Sequence, residues 1–204
     1  MIILDMGSGN TCKNDTTIIK KMIDAVKAVD TGKHAIVLKW QLFTSAPPNV
    51  PLDRWPFHYA VRYAQEKGYK TTASIFDEES FEYLTGHFSI PFVKIPCREK
   101  LYNFVNGQYK DFIISVPDRI LYDNFPDLVK LCCIPKYPAK VEEYEKTFTK
   151  EQLKAGISDH TAGWDLFKKY KPVVFEKHFV LERDEGNPDA GPFAVTPDDL
   201  AGIL

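Results

Sequence analysis

Short apolar runs recur eight times along this chain, at Ile2–Met6, Ala35–Gln41, Lys70–Phe76, Phe92–Cys97, Phe112–Val116, Leu128–Ile134, Ile157–His160 and Val174–His178. Each has the length and apolar content of a buried strand. Between them lie segments with helical spacing or helix start signals. Ile18, Ile19, Met22, Ile23, Val26 and Val29 share one helical face behind the cap Asp15, and Gly32 stops that helix. Arg54–Lys67 reads as a second helix ended by Gly68, Asp77 caps a third through Phe81, Tyr83 and Leu84, and a short one lies near Leu101–Val105. Val141–Glu151, Trp164–Tyr170 and Pro197–Ile203 read as the later helices. Strands separated by helices, with short connections, pair in parallel. Eight such units predict a single α/β domain over residues 1–204, a (β/α)8 TIM barrel at the minimum size of that fold, with its chemistry at the C-terminal strand ends. The Pro-rich 46–56 segment fits a long βα loop over the barrel mouth. A doubly wound open sheet is the alternative, but Gly7-Ser8-Gly9 alone is no dinucleotide fingerprint.

Strand geometry then selects candidate side chains. Alternation puts Val174, Glu176 and His178 on one face of the eighth strand, and Ser158 with His160 on one face of the seventh. Parallel neighbours therefore bring two imidazoles and a carboxylate to adjacent strand ends, an ordinary ligand set for a divalent metal. Lys39 and Lys94 interrupt otherwise apolar strands, and a buried ammonium requires an anionic partner or an opening to solvent. Two lysines beside a metal site suit a ligand carrying a carboxylate and a phosphate. Ser74, Ser115 and Ser158 at strand ends would add neutral donors.

Bulk properties exclude several classes. A net charge of −2 with both signs mixed provides no basic field for nucleic acid. No apolar run approaches the ~20 residues of a membrane span, and the N-terminus lacks signal-peptide regions. Cys12, Cys97, Cys132 and Cys133 have no CxxC spacing, as expected for reduced thiols in a cytoplasmic protein.

The ordered motifs Ser158-Asp159-His160-Thr161, Glu176-Lys177-His178-Phe179, Leu181-Glu182-Arg183 and Gly186-Asn187-Pro188-Asp189 resemble the SDHT, EKHFTLDR and GPD of the sialic acid (N-acetylneuraminate) synthase family. Lys39-Trp40-Gln41 stands at that family's KxQ, Ser74-Ile75-Phe76-Asp77 at STPFD, Lys94 to Glu99 at KIxSxE, Ile114-Ser115 at the start of ISTGM, and Tyr137-Pro138 at YP. The resemblance implies joining of phosphoenolpyruvate to an N-acylmannosamine-like amino sugar, giving a nonulosonic acid and phosphate. It implies a metal, Mn²⁺ or Mg²⁺ ahead of Zn²⁺, on His160 and His178, acting as a Lewis acid on the sugar aldehyde. Lys39, Lys94, Ser74, Ser115, Ser158 and Cys97 would then meet phosphoenolpyruvate, with Cys97 in place of a serine. Gln41, Tyr137, Asp189, Asn10 and Glu99 would line the sugar site, and Glu176 would orient His178 or act as a base.

The departures carry expectations of their own. The family's NHE motif after strand one is Asn10-Thr11-Cys12 here, so Cys12 stands where a catalytic glutamate is implied. The chain is expected to be a compact member lacking the antifreeze-like C-terminal domain, and hence a monomer or a dimer formed through the barrel's outer helices. Two rival readings are a non-catalytic barrel binding an anionic sugar or sugar phosphate, and a zinc hydrolase in which Cys12 or Cys97 joins the histidines.

Overall fold

The computed structural model describes residues 1–106, 111–184 and 186–204. The strands are β1 (Ile2–Asp5), β2 (Ile36–Leu42), β3 (Lys70–Ile75), β4 (Val93–Ile95), β5 (Phe112–Val116), β6 (Val129–Cys133), β7 (Gly156–Asp159) and β8 (Val174–His178). They pair in parallel in chain order and close through β8 onto β1, which makes the expected (β/α)8 barrel and disposes of the open sheet.

The helices cover the outside because their apolar stripes match the outward strand residues. α2 (Thr16–Val29), capped by the Asp15 side chain, buries Ile19, Met22, Ile23 and Val26. α3 (Arg54–Glu66) buries Phe57, Ala60 and Ala64, and α4 (Glu78–His87) buries Tyr83 and Leu84 behind its Asp77 cap. These side chains form one continuous core with outward strand residues such as Leu4, Leu38, Trp40, Ile75, Val93, Ile114, Ile157 and Phe175.

Local differences from the sequence reading have local causes. The glycine-rich turn after β1 winds into α1 (Gly9–Cys12), started by a Ser8 cap. Gly9 is required there, because a Cβ would stand 2.2 Å from the Pro51 carbonyl of the 46–53 loop. The segment near residue 101 is a 3₁₀ helix, Glu99–Asn106. α5 (Arg119–Asp123) follows β5 without burying a residue, so it left no apolar stripe in the sequence. The single helix expected from Val141 is two, α6 (Val141–Thr147) and α7 (Lys150–Ala155), because Thr149 and Gln152 form a capping box that restarts the chain. α8 (Asp165–Tyr170) joins β7 to β8, and α9 (Pro197–Ala201) follows. Among the described residues, no helix is long and apolar enough to cross a membrane.

The barrel interior is layered. Ile3, Val37, Phe92, Ile113, Leu131 and Val174 pack into an apolar floor. Two residues further along these strands, on the same inward face, stand Asp5, Lys39, Lys94, Ser115, Cys133 and Glu176, all facing a cavity of about 770 Å³. The fold thus stacks a polar layer directly on an apolar one, at the C-terminal strand ends.

Candidate active site

Register brings the charges together. Asp5 lies beside Lys39 of β2 and His178 of β8, Ser74 beside Lys94, and Ser158 beside Glu176. Lys39 Nζ donates to Asp5 Oδ2 at 2.6 Å and to Ser74 Oγ at 3.0 Å, and lies 3.6 Å from Glu176 Oε1. Burial pulls the Lys39 ammonium pKa down, but the Asp5 and Glu176 charges outweigh it and raise it overall. Burial likewise pushes Asp5 up, while the Lys39 and His178 charges and a Lys39 hydrogen bond bring it down to about 2. Lys39 and Asp5 are therefore a locked ion pair.

Lys94 is held differently. Its Nζ donates to Ser115 Oγ at 2.7 Å and to the Ile95 carbonyl at 3.0 Å, both neutral acceptors. Glu176 Oε2 is 3.7 Å away, and burial, only partly offset by Glu176, lowers the Lys94 pKa. Glu176 Oε1 accepts from Ser158 Oγ at 3.1 Å, while Oε2 is buried without a hydrogen-bond partner among the described residues. The cavity floor thus holds one neutralised cation and one under-compensated cation, with an unpartnered carboxylate oxygen beside the latter.

Above this layer stand the imidazoles. The His160 and His178 ring centroids are 5.8 Å apart, and the half-exposed Tyr137 ring packs 4.1 Å from His160. His160 Nδ1–H donates to the Ile134 carbonyl at 2.8 Å, which leaves Nε2 as the lone-pair nitrogen of a neutral ring. Burial, with the nearby His178, holds the His160 pKa down to about 3. His178 sits between two carboxylates, with Nε2 3.6 Å from Asp5 Oδ2 and Nδ1 3.6 Å from Asp189 Oδ1, and Nδ1 is buried without a hydrogen-bond partner among the described residues. The resemblance implies that Glu176 orients His178 or acts as a base; the geometry does not show the first. Glu176 instead bonds Ser158 and faces the lysines, and the carboxylates flanking His178 are Asp5 and Asp189.

The remaining candidates divide between the cavity wall and elsewhere. Gln41 Nε2 bridges Asp5 and Asp189 at 3.1 Å each, and burial raises the Asp189 pKa. Asn10 lines the mouth and bonds Asn49 and Val50, so the expected 46–56 loop borders the opening, except that its residues 54–56 form the first turn of α3. Cys97 also lines the wall, where a hydrogen bond with Cys133 and the Lys94 charge hold its thiol below the ordinary range. Cys12 is a correction. Its side chain is buried in the outer core, Sγ donates to the Ser8 carbonyl at 3.4 Å, and burial pushes its pKa up to about 11. The wall at that point is Ser8 and Asn10, so the thiol does not stand at the cavity where the implied glutamate would be. Glu99 is a second correction, since it is exposed at the start of the 3₁₀ helix, outside the cavity wall. Asp5 and Cys133 are wall residues that the sequence reading missed. Inward alternation from Ile3 and Leu131 was the signal that could have found them.

Among the described residues, no group of three or more His, Cys, Asp or Glu side chains could hold a metal ion by itself. The two imidazoles are the donors that a divalent ion at this place would meet. His160 presents a lone pair fixed by its bond to Ile134, and His178 carries an unpartnered buried nitrogen between two carboxylates. The zinc arrangement with Cys12 is not available, because that thiol is in the core.

Fold and site together define a class: a closed (β/α)8 barrel whose mouth joins buried lysines, carboxylates and a histidine pair. No protein-family model and no curated protein matches the sequence. Among solved structures, the chain is similar to the N-acetylneuraminic acid (sialic acid) synthetase of Leptospira borgpetersenii serovar Hardjo-bovis in complex with citrate. The TM-score is 0.76 at 19% identity, over 98% of this chain and 80% of that one. It is also similar to a putative spore coat polysaccharide biosynthesis protein E from Chromobacterium violaceum, with TM-score 0.70 and 16% identity over 98% and 71% of the two chains. A third likeness is to a phospho-2-dehydro-3-deoxyheptonate aldolase of Thermotoga maritima, with TM-score 0.63 and 10% identity over 99% and 66%. At these identities the likeness establishes the shared fold.

Proposed function

We propose that this barrel condenses phosphoenolpyruvate with an N-acylmannosamine-like aldose. The enol carbon of phosphoenolpyruvate would bond to the aldehyde carbon, water would supply the new oxygen at the former enol centre, and phosphate would leave. The observation that carries this reading is the pairing, in one cavity, of the under-compensated Lys94 with the His160–His178 pair. The first suits a dianionic phosphate and the second an aldehyde electrophile. The structural likeness to a sialic acid synthetase, whose structure holds the polycarboxylate citrate, supports the same choice of chemistry.

In this reading Lys94 receives the phosphate, with Ser115 and Cys97 as neighbouring donors. Lys39, locked to Asp5 and Ser74, keeps its third N–H as a fixed donor for the carboxylate, and Ser158 completes that side. Gln41 and Asp189, already joined by a hydrogen bond, face the sugar with Tyr137 and Asn10. Glu176 Oε2 is the free acceptor closest to the lysines and takes the base role. A divalent ion, Mn²⁺ or Mg²⁺, would be held by His160 and His178 and would supply Lewis acidity toward the aldehyde.

The test is phosphate release from phosphoenolpyruvate across a panel of hexosamines with Mn²⁺. The reading expects release that requires an N-acylated aldose and is lost in Lys94→Met. The placement of Cys12 in the core and Glu99 outside favours a second reading, a barrel that binds an anionic sugar without turning it over. Calorimetric binding of phosphoenolpyruvate with no aldose-dependent release would select it.

A further inference from the structure

The inward faces of β7 and β8 carry the histidines, and their outward faces carry an ion pair that no substrate could touch. Lys177 and Asp159 are both fully buried behind the barrel wall. Lys177 Nζ donates to Asp159 Oδ2 at 2.8 Å and to the Thr161 carbonyl at 2.6 Å, while Asp159 Oδ1 accepts from the Thr161 N–H at 2.7 Å. Asp159 and Thr161 are the chain neighbours of His160, and Lys177 is the chain neighbour of His178. From the other side, the Tyr144 hydroxyl donates to the Ser158 carbonyl at 2.7 Å and accepts from the His160 N–H at 3.1 Å. The turn bearing His160 is thus bonded to β8 through one ammonium and to α6 through one hydroxyl.

A buried ion pair is a weak source of net stability, because desolvation offsets most of the attraction and apolar residues of similar size often serve as well. Its value lies in fixed geometry: the ammonium reaches a carboxylate and a carbonyl at once, and a slip of either strand end would break both bonds. We propose that the Lys177–Asp159 pair is a positioning device that sets the separation and ring orientation of His160 and His178 from behind the barrel wall. This rests on reading the two imidazoles as a joint ligand site.

Asp159→Asn combined with Lys177→Met removes both charges while keeping the side-chain volumes close. In metal-free wild type, ¹⁵N NMR of the imidazoles should show His160 as a single Nδ1–H tautomer. The folded double variant should show a mixture and bind Mn²⁺ ~10–100-fold more weakly in calorimetry, as loss of a group that orients ligands typically does. A folded double variant with the wild-type tautomer overturns the proposal, whatever its metal affinity. If wild type binds no Mn²⁺ but the tautomer still shifts in the variant, positioning stands and the metal reading falls. Should the double variant not fold, Lys177→Arg retains the charge but changes its reach. It should fold with a shifted tautomer population, and an unchanged spectrum would overturn the proposal.

Discussion

The His160 imidazole is kept neutral by burial and by the nearby His178, with its pKa lowered from 6.5 to about 3. The sign follows from proton linkage. Between pH 6.5 and about 3 the unfolded chain binds a proton at this residue that the folded chain does not, so stability falls as pH drops through that window. At ~1.4 kcal/mol per pKa unit the full effect is bounded near 5 kcal/mol. Asp5, held at about 2, adds its own loss only below its unfolded value of 3.8. Urea midpoints of metal-free protein should therefore decline from pH 6.5 downward, before ordinary carboxylates titrate, and His160→Gln should flatten that decline. Parallel wild-type and variant profiles would refute the assignment. The two lysines make a second pair of expectations. Lys39→Met takes from buried Asp5 its bonded ammonium and leaves it the Gly7 and Gln41 donors with His178 nearby, a cost of up to ~3–5 kcal/mol, and Asp5→Asn should restore most of it. Lys94→Met strands a hydroxyl and a carbonyl and removes the cation 3.7 Å from Glu176 Oε2, but Glu176 keeps Lys39 at 3.6 Å from its other oxygen, so the cost should be smaller. Equal losses in the two single variants would show that the cations are not held differently. Sequence patterning could locate Lys39 and Lys94, because charge inside an apolar run is conspicuous. It could not separate their roles, which depend on Asp5, a carboxylate that reads as an ordinary strand terminus.

At the level of elements, strands were legible because a parallel barrel buries both of their faces and so writes continuous apolar runs. Helices were legible only where they bury a stripe. α1 and α5 are too short to show a period, and the break between α6 and α7 is set by the Thr149–Gln152 capping box rather than by hydropathy. The placement of Cys12 illustrates the same limit. A residue-for-residue correspondence put it at the cavity, whereas the turn of α1 directs its side chain outward into the core. A glycine also marks a close approach of two strands. In β7, a Cβ on Gly156 would stand 2.5 Å from the Lys130 carbonyl of β6, a backbone atom that cannot move aside alone. Gly156→Ala should therefore destabilise the protein by ~1–3 kcal/mol, as overpacking typically does, and should weaken Mn²⁺ binding by shifting the strand that carries His160. A variant with unchanged melting temperature would show that the β6–β7 spacing is more compliant than the geometry implies.

Over the whole molecule, eight strands place an apolar floor beneath a polar layer, and the stack puts two cations, their carboxylate partners and two imidazoles around one cavity. No single strand contains the site, since its charged and imidazole members come from β1, β2, β4, β8 and the end of β7, and its serines and thiol add β3, β5 and β6. That distribution is why the lysines, Glu176 and the imidazoles could be gathered from separate motifs, whereas Asp5, which ties them together, escaped the sequence. The central claim is formation of a carbon–carbon bond between phosphoenolpyruvate and an aldose, and ¹³C NMR of [3-¹³C]phosphoenolpyruvate with N-acetylmannosamine and Mn²⁺ tests it most directly. The account predicts that the vinyl carbon signal is replaced by a saturated methylene of a nonulosonic acid, and that Lys94→Met abolishes the conversion. A spectrum showing only unchanged phosphoenolpyruvate, or pyruvate from its hydrolysis, across the hexosamine panel would contradict it.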